Sequence, residues 1–364
     1  MKRILAVVLA CVILGAVVRP AAADAITGVN TVDVAKMNPA QQSALLAELT
    51  AAHVTNVRLD LKPASVPFII AAYHQGIGSI AILPFAGDPA RARQVAPQAG
   101  LDWAQVPLSA PDAAVFSVKD TAPLNQLDAA GIRLTALEFG NEINNPGFNG
   151  DFPAQGHGEV YGLAGIARPK TAETSAIRAG FLAYLGELRQ VQQWRDASAA
   201  NRQTPLLSAG LADPGLPGTY PGRKLDAVSI GGTLGFLRAN GLDALADGYA
   251  VHVYPSNNPD ETLAQRAAKL QADTFSACVP GGKPCWLTEW GFTNKSTACP
   301  LDDATRAGII STMRAILAPL AASGRLQAAI YYSWSGHLGV RNSPEALYRC
   351  GVLTQAGVLA LEPF

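Results

Sequence analysis

The sequence predicts an α/β protein of the (β/α)8 barrel class (TIM barrel), folded as a single domain over residues 24–364. Short apolar segments recur along the chain, and longer segments with helical spacing of apolar residues separate them. The chain has 364 residues, enough for eight such units, and only about 29 residues follow the eighth predicted strand. The glycine fingerprint of an open dinucleotide-binding sheet is missing after the early strands, so the open doubly wound sheet is the second choice.

Eight segments have the composition of buried strands. They are rich in Val, Ile, Leu and aromatic residues, and few alternate cleanly between apolar and polar residues, as expected where both faces of a parallel sheet are covered. The predicted strands are 26–30, 54–61, 77–85, 134–142, 205–211, 248–255, 285–292 and 328–335. Segments 41–53, 172–197 and 304–323 are the clearest predicted helices between them.

The N-terminus predicts a secretory signal peptide at residues 1–23. Lys2 and Arg3 precede an apolar run at 4–18, and an alanine-rich exit ends at Ala23. That run is shorter than the roughly 18 or more apolar residues expected of a spanning helix, so an uncleaved anchor is the alternative. We therefore expect a secreted or periplasmic protein with no stable membrane insertion after signal cleavage.

The overall composition excludes two classes of protein. Hydrophobic residues make up 49% of the chain and charged residues 15%, which excludes a disordered protein. Lys and Arg together number 28, as do Asp and Glu. A nucleic-acid binder usually needs a basic excess, so we expect no nucleic-acid partner. We also expect a monomer without a cofactor or metal.

Four cysteines follow the predicted signal peptide: Cys278, Cys285, Cys299 and Cys350. An even number in an exported chain predicts two disulfides, for which three pairings are open. We favour Cys278–Cys285 across a Pro- and Gly-containing turn, and Cys299–Cys350. Free thiols remain an alternative. A zinc site is disfavoured because the chain has no Cys-x-x-Cys and no nearby His.

Two glutamates occupy the predicted ends of opposite strands. Glu142 ends the fourth strand and Glu289 ends the seventh. Side chains at the carboxyl ends of barrel strands point into the shared mouth where active sites form. Two facing carboxyl groups suit glycoside hydrolysis, in which one protonates the leaving oxygen and the other attacks or activates water. The pair is therefore the candidate catalytic site.

Polar neighbours accompany both glutamates. Asn141 precedes the first and could bond a sugar hydroxyl. His252 and Tyr254 lie two apart on the sixth strand and so face the same side, from which Tyr254 could bond Glu289. Arg58 on the second strand could favour the charged form of a nearby carboxylate.

Further residues of the predicted barrel suggest sugar platforms and an ion pair. Trp334 at the end of the eighth strand offers a flat face for a sugar ring, and Trp290 and Trp103 are further candidate platforms. Trp286 is read as a core residue. Glu138, four residues before Glu142, is expected in a buried ion pair, for example with Arg58.

Four motifs in chain order resemble the retaining glycoside hydrolases of clan A. They lie on the fourth, sixth, seventh and eighth strands, so the resemblance covers almost the whole mature chain. They are Gly140-Asn141-Glu142, His252-Val253-Tyr254, Thr288-Glu289-Trp290-Gly291 and Tyr332-Ser333-Trp334.

The resemblance implies a double-displacement reaction with net retention. In it Glu142 resembles the acid/base, Glu289 the nucleophile and Asn141 the residue that contacts the sugar 2-hydroxyl. Tyr254 resembles the partner of the nucleophile, and Arg58 the arginine of the second strand.

The resemblance also assigns the platform beneath the cleaved sugar to Trp334. The chain departs from many relatives at Ile143, where they carry proline after the acid/base. A carbohydrate substrate is thus implied, while the sugar and linkage stay open.

Other functions are weighed against this one. A non-catalytic carbohydrate-binding barrel would not need both acids, and a transglycosylase would use the same site. A serine esterase is disfavoured because no Gly-x-Ser-x-Gly occurs. A metal-dependent deacetylase is disfavoured because the five histidines are scattered along the chain.

Overall fold

The computed structural model describes residues 25–85, 87–94, 104–111, 121–214, 224–254, 281–294, 303–338 and 343–364. It also describes residues 262, 264, 265, 268, 272, 277, 278, 298 and 299. The predicted signal peptide and Trp103 lie outside the described residues.

All eight predicted strands are present, most of them shorter than expected at their ends. The strands are β1 Ile26–Asn30, β2 Asn56–Asp60, β3 Gly78–Leu83, β4 Ala136–Phe139, β5 in two segments Leu206–Leu207 and Leu211–Ala212, β6 Tyr249–Val253, β7 Cys285–Trp290 and β8 Leu326–Tyr331. Short two-residue strand pairs lie outside this sheet at Arg93–Gln94 with Ala104–Gln105, Val160–Tyr161 with Ala227–Val228, and Tyr348–Arg349 with Val352–Leu353.

The eight strands form one closed parallel sheet. β1 pairs with both β2 and β8, which joins the first strand to the last. The first segment of β5 pairs with β4 and the second with β6. Parallel bridges Asn141–Gly210 and Leu207–Gly248 extend the contact of β5 to both neighbours. The predicted (β/α)8 barrel is therefore confirmed.

Helices cover the outside of the sheet. Among the described residues they are α1 Pro39–Ala51, α2 Val66–His74, α3 Thr121–Ala129, α4 Leu163–Ala167, α5 Ala172–Ala197, α6 Ile230–Ala239, α7 Leu242–Leu245, α8 Ala304–Ala322 and α9 Gln355–Leu361. Helix α5 begins where Thr171 and Thr174 form a capping box, which satisfies free backbone amides of the first turn. Three short 3₁₀ turns lie at Val34–Lys36, Pro63–Ser65 and Pro89–Arg91.

The barrel interior has an apolar layer and a polar layer. Side chains two apart on a strand face the same side, so one strand can contribute to both layers, as β4, β6 and β7 do. The apolar layer is a buried cluster of Ile80, Ala136, Leu207, Ala250, Trp286, Ala328 and Ile330. One step toward the carboxyl ends, the buried side chains are Asn30, Arg58, Glu138, His252 and Thr288. The core position of Trp286 is confirmed, and charged groups occupy the layer below the barrel mouth.

Both favoured disulfides are present. Cys278 pairs with Cys285 at a Cα–Cα distance of 5.3 Å, and Cys299 pairs with Cys350 at 5.8 Å. These distances lie within the usual range for disulfides. The second bridge ties segments 51 residues apart in sequence, near the end of the chain.

Among the described helices, none is both long and apolar enough to cross a membrane.

Candidate active site

A cleft of about 590 Å³ opens at the carboxyl ends of the strands. Its lining includes Glu142 and Glu289, together with Arg58, Asn141 and Tyr254. Five of the eight site residues expected from the sequence thus meet in one cavity. Other parts of the lining come from the loops after β1, β2, β3 and β4.

The backbone turns sharply to present Glu142. Strand β4 ends at Phe139, and both Gly140 (φ 84°) and Glu142 (φ 44°) adopt left-handed backbone conformations. The amide of Glu142 donates to the carbonyl of Gly210 at 2.7 Å, which fixes the turn to β5. A positive φ at a non-glycine residue costs energy and is concentrated at functional sites. The chain thus accepts strain where it places this carboxylate.

A register shift between β6 and β7 presents Glu289. Val251 pairs with Leu287, but His252 pairs with Glu289, so Thr288 is skipped. Bulges of this kind re-aim side chains near active sites. Thr288 bonds Glu138 inside the barrel while the next residue, Glu289, lines the cleft.

Two donors hold the Glu289 carboxylate. Arg58 Nη1 donates to Oε1 at 2.5 Å, and the Tyr254 hydroxyl donates to Oε2. Burial and the nearby charge of Glu289 raise the pKa of Tyr254 well above 10, so the hydroxyl keeps its proton. Both oxygens of Glu289 are therefore oriented, as the sequence predicted for Tyr254.

The Glu142 carboxylate is held by an amide and an imidazole. Asn145 Nδ2 donates to Oε2 at 3.0 Å, and His252 Nδ1 lies 2.9 Å from Oε1. The same His252 nitrogen lies 3.7 Å from Oε2 of Glu289. His252 therefore lies between the two candidate catalytic carboxylates.

The ion pair expected for Glu138 is confirmed. Arg58 makes two hydrogen bonds to this carboxylate, from Nε at 2.7 Å and from Nη2 at 2.8 Å. Burial alone would raise the pKa of Glu138, but the charge of Arg58 and the nearby imidazole of His252 outweigh it and lower that pKa to about 2. Burial likewise opposes the charge of Arg58, and Glu138 and Glu289 more than offset this, so its pKa is raised.

The carboxylates of Glu142 and Glu289 approach each other closely. One oxygen of each, and a nitrogen of His252, all lie within 4.8 Å of one another. Three such ligand atoms could in geometric terms share a cation. Arg58 already places a positive charge against this group, which opposes a bound metal ion. The spacing instead matches that of two carboxyl groups that act on one bond.

Three of the expected substrate-binding residues are misplaced for that role. Trp290 and Trp334 are both 0% exposed, so neither offers a face to a sugar. Trp290 packs edge-on against Tyr331, and Trp334 stacks on Tyr348. The expectation of sugar platforms at these two positions is wrong. His252 is also fully buried, behind the carboxylates, so the expectation that it contacts the substrate directly is wrong as well.

Two aromatic cleft residues, Tyr332 and Phe85, were not assigned to the cleft from the sequence. Tyr332 lines the cleft where the platform was assigned to Trp334, because β8 ends at Tyr331 and its alternation does not extend to 334. Phe85 and Phe148 add aromatic surface from the loops after β3 and β4. The available signal for Tyr332 was its place in the Tyr332-Ser333-Trp334 motif, two residues before Trp334 on the predicted eighth strand.

A second carboxyl pair lies at the base of the loop after β4. Glu173 lies in the first turn of α5 and faces Asp226, which is 1% exposed. Asp226 Oδ1 accepts backbone amides of His157 and Glu159, and the Tyr161 hydroxyl donates to Glu173. Burial and the Asp226 charge raise the pKa of Glu173 to about 7. This pair anchors the loop from which Phe148 reaches the cleft.

Comparison with known proteins gives the fold. No protein-family model matches the chain, and no curated protein matches it. Among solved structures, the endo-beta-1,4-mannanase from Thermotoga petrophila is similar, with 11% identity and a TM-score of 0.50 over 93% of this chain and 76% of that one. This likeness extends over nearly the whole chain. The fold is that of a (β/α)8 barrel.

Two further structures have TM-scores of 0.49 at 12% identity. One is the virulence factor SghA from Agrobacterium tumefaciens, with 93% of this chain and 96% of that chain covered. The other is ScGas2, of which the match covers 62%, again with 93% of this chain. At these identities the comparisons concern the fold alone.

Proposed function

We propose that the chain is a secreted retaining glycoside hydrolase that cleaves β-glycosidic bonds in an oligo- or polysaccharide. The observation that carries this proposal is the approach of Glu142 and Glu289 within 4.8 Å, oxygen to oxygen, in one cleft. Retaining enzymes separate their two carboxyl groups by roughly 5–5.5 Å, whereas inverting enzymes need roughly 6.5–9.5 Å to admit a water. The short separation favours retention.

In the first step Glu289 is the nucleophile. Its carboxylate oxygen forms a bond to the anomeric carbon while the bond from that carbon to the leaving oxygen breaks. Glu142 gives its proton to the leaving oxygen. Arg58 and Tyr254 hold the oxygens of Glu289, so the attacking atom needs little reorientation on the way to the transition state.

In the second step a water releases the sugar. Glu142, now a carboxylate, accepts a proton from the water as the water oxygen bonds the anomeric carbon. The bond between that carbon and Glu289 breaks, and both acids return to their starting states. Asn145 and the strained turn at Glu142 keep this carboxylate over the same face of the sugar in both steps.

A non-catalytic sugar-binding barrel fits these contacts less well. Burying Arg58 beneath the cleft has a large desolvation cost, offset here by ordered carboxylate partners. A site that only binds sugar needs no buried ion pairs beneath Glu142 and Glu289. A transglycosylase would use the same residues with a sugar in place of water.

The test compares wild type with single variants on a panel of aryl β-glycosides and on plant and microbial polysaccharides, β-1,4-mannan included. Glu289→Ala should abolish turnover, and Glu142→Ala should abolish it on substrates with poor leaving groups. Glu159→Gln, at an exposed glutamate outside the cleft, is the matched control and should keep wild-type rates. Wild-type turnover by Glu289→Ala would remove the assignment of the nucleophile.

Export is tested separately from catalysis. If the signal peptide is cleaved after Ala23, the protein recovered from the periplasm or medium should begin at Asp24, as read by intact mass. The two disulfides are in keeping with an oxidising compartment. Recovery of an intact N-terminus at the membrane would instead support an uncleaved anchor.

A further inference from the structure

Glu138 is a third carboxylate in the barrel that the proposed reaction does not use. It is 0% exposed and absent from the lining of the cleft, so it touches no substrate there. A buried charge is costly unless it is paired, and here its partners lie directly beneath the catalytic acids. The contacts of this carboxylate indicate what it does for them.

Glu138 lies between two basic groups. Both Nε and Nη2 of Arg58 donate to it, as does the Thr288 hydroxyl at 3.3 Å. His252 Nε2 lies 3.7 Å from Oε1 of Glu138, the oxygen to which Nη2 and the Thr288 hydroxyl donate. Arg58 Nη2 is also only 3.2 Å from that imidazole nitrogen. A positive imidazole beside a guanidinium is unfavourable without a counter-charge, and Glu138 supplies it.

Gly210 makes this packing possible. A Cβ at this position would lie 2.1 Å from His252 Nε2 and 2.5 Å from Glu138 Oε1. Only glycine leaves the space in which the imidazole and the carboxylate meet. The juxtaposition is therefore built into the break between the two segments of β5.

The other nitrogen of His252 faces the candidate acid/base. Nδ1 lies 2.9 Å from Glu142 Oε1, a distance at which one proton can belong to either atom. The charged or titratable groups around the imidazole are Glu138, Glu142, Glu289, Arg58 and Tyr254. Three carboxylates face it against a single cation, so the surroundings favour a protonated imidazole.

We propose that Glu138 is a positioning residue, which keeps a proton on the His252–Glu142 pair without contacting the substrate. In the resting protein the proton lies on Nδ1 with Glu142 as carboxylate, and it moves to Oε1, leaving the imidazole neutral, when Glu142 acts as the acid. Only an N–H or O–H bond changes between the two states, so the charge of the pair is constant. When the leaving oxygen takes the proton of Glu142, the pair becomes one proton poorer, and the water of the second step restores it.

The consequence is a wider pH range for the acid step. Burial opposes the charge of His252, but Glu289, Glu138 and Glu142 outweigh it and raise the pKa of His252 to about 9. Interacting groups titrate as a pair, so the alkaline limb of activity belongs to both residues. Without the Glu138 charge, Arg58 would oppose the protonated imidazole, and the pair would lose its proton at lower pH.

The experiment uses Glu138→Gln, which removes the charge and keeps the shape. Its matched control is Glu187→Gln, at a buried glutamate of α5 that is 2% exposed. In Glu138→Gln the alkaline limb of kcat/KM should move down by roughly one pH unit or more. The control should keep the wild-type limb. A uniform loss of activity with an unmoved limb would mean a merely structural role and would overturn the proposal.

The catalytic consequence rests on the proposed function, so a second readout is independent of activity. Nitrogen-15 NMR of labelled imidazoles in the whole protein reports the charge of His252, and exposed His74 serves as internal reference. We expect a protonated His252 at neutral pH in wild type, and in Glu138→Gln we expect that proton to be lost at a pH roughly one unit or more lower than in wild type. A neutral His252 in wild type at neutral pH overturns the inference even if the enzyme hydrolyses glycosides. If no glycoside is cleaved, the proposed function fails while this spectrum still tests Glu138.

Discussion

Two carboxyl groups in this protein, Glu138 fully buried and Glu173 half buried, have opposite partners. In the barrel, Glu138 meets the guanidinium of Arg58, and its pKa falls to about 2. At the base of the loop after β4, Glu173 meets another carboxyl group, Asp226, and its pKa rises to about 7. Both lie in poorly hydrated surroundings, which by themselves favour the neutral form. The identity of the partner decides which of the two stays charged.

The difference suggests a division of labour. In the barrel, Glu138 stays ionised beneath the cleft. At the base of the loop, the Glu173–Asp226 pair is most stable while Glu173 is protonated. Each of the two sites requires a glycine. A Cβ at Gly210 would clash with Glu138 and His252, and a Cβ at Gly156 would lie 2.4 Å from Asp226 Oδ2. Substitutions in the barrel and at the base of the loop test this difference.

The largest effect is expected from Arg58→Met. This change leaves Glu138 and Glu289 without their cation in the barrel, and loss of one partner of a buried ion pair typically costs about 3–5 kcal/mol. Urea unfolding at neutral pH measures the loss, with exposed Arg189→Met as control. Adding Glu138→Gln to Arg58→Met should recover part of the stability. Equal midpoints for Arg58→Met and Arg189→Met would contradict the account of the barrel charge.

The two glycines should separate activity from stability. Gly210→Ala and Gly156→Ala each force a methyl group against a buried carboxyl, and overpacking of this kind costs about 1–3 kcal/mol. Only Gly210→Ala should also lower kcat/KM on good aryl glycosides, since it displaces His252. Thermal unfolding and kcat/KM, measured for both variants, show whether the loss of stability is accompanied by a loss of activity. An equal loss of activity in both variants would mean that the loop base is as close to the chemistry as the barrel.

A pair of tyrosines gives a finer test. Tyr254→Phe removes the hydroxyl bond to Glu289, and a bond to a charged group is worth about 1.5–3 kcal/mol, or roughly a 10–100-fold loss in kcat/KM. Tyr161→Phe removes the corresponding bond to Glu173 and should leave kcat/KM within about twofold. That change is smaller than the loss of even a weak hydrogen bond at the catalytic site would cause. Steady-state kinetics on one substrate compares them. Unchanged kinetics in Tyr254→Phe would show that the nucleophile is held without this hydroxyl.

The smallest effect concerns pH and the loop pair. A carboxyl whose pKa is higher in the folded than in the unfolded chain stabilises fully below the unfolded value, near 4.5. This contribution is lost as pH rises through about 7. Glu173 is half exposed, so after screening Glu173→Gln should gain about 1 kcal/mol over wild type above that pH and almost nothing below pH 5.

Urea unfolding across this pH range checks the loop pair. Glu159→Gln controls for the loss of a charge nearby. A stability difference that is independent of pH would show that Glu173 does not keep its proton in the folded protein.

The fold and the acids were predictable because each rests on local pattern. The eight apolar segments at barrel spacing can be recognised from the sequence alone. Strand order and alternation placed Tyr254 against Glu289. The ion pair of Arg58 and Glu138 followed from the same alternation along β4. Residues at or near the ends of predicted strands could thus be placed at the cleft, although the turn at Glu142 and the register shift before Glu289 could not be predicted.

The remainder depends on where strands stop and on contacts distant in sequence. Trp334 was expected in the cleft, but β8 ends before it and its ring packs on Tyr348. Glu173 and Asp226 are 53 residues apart and on different elements, so no sequence spacing predicts their meeting. His252 was placed on the correct face of its strand, but its complete burial beneath the cleft was not predicted.

Trapping the covalent intermediate shows whether Glu289 is the nucleophile of a retaining reaction. A 2-deoxy-2-fluoro aryl glycoside of the sugar that the substrate panel identifies should react once and remain attached, and peptide mass spectrometry should place the sugar on Glu289. A label on that residue, absent from Glu289→Gln, is the result that the two facing carboxylates predict. Turnover that forms the inverted anomer without labelling, or a label on another residue, would contradict it.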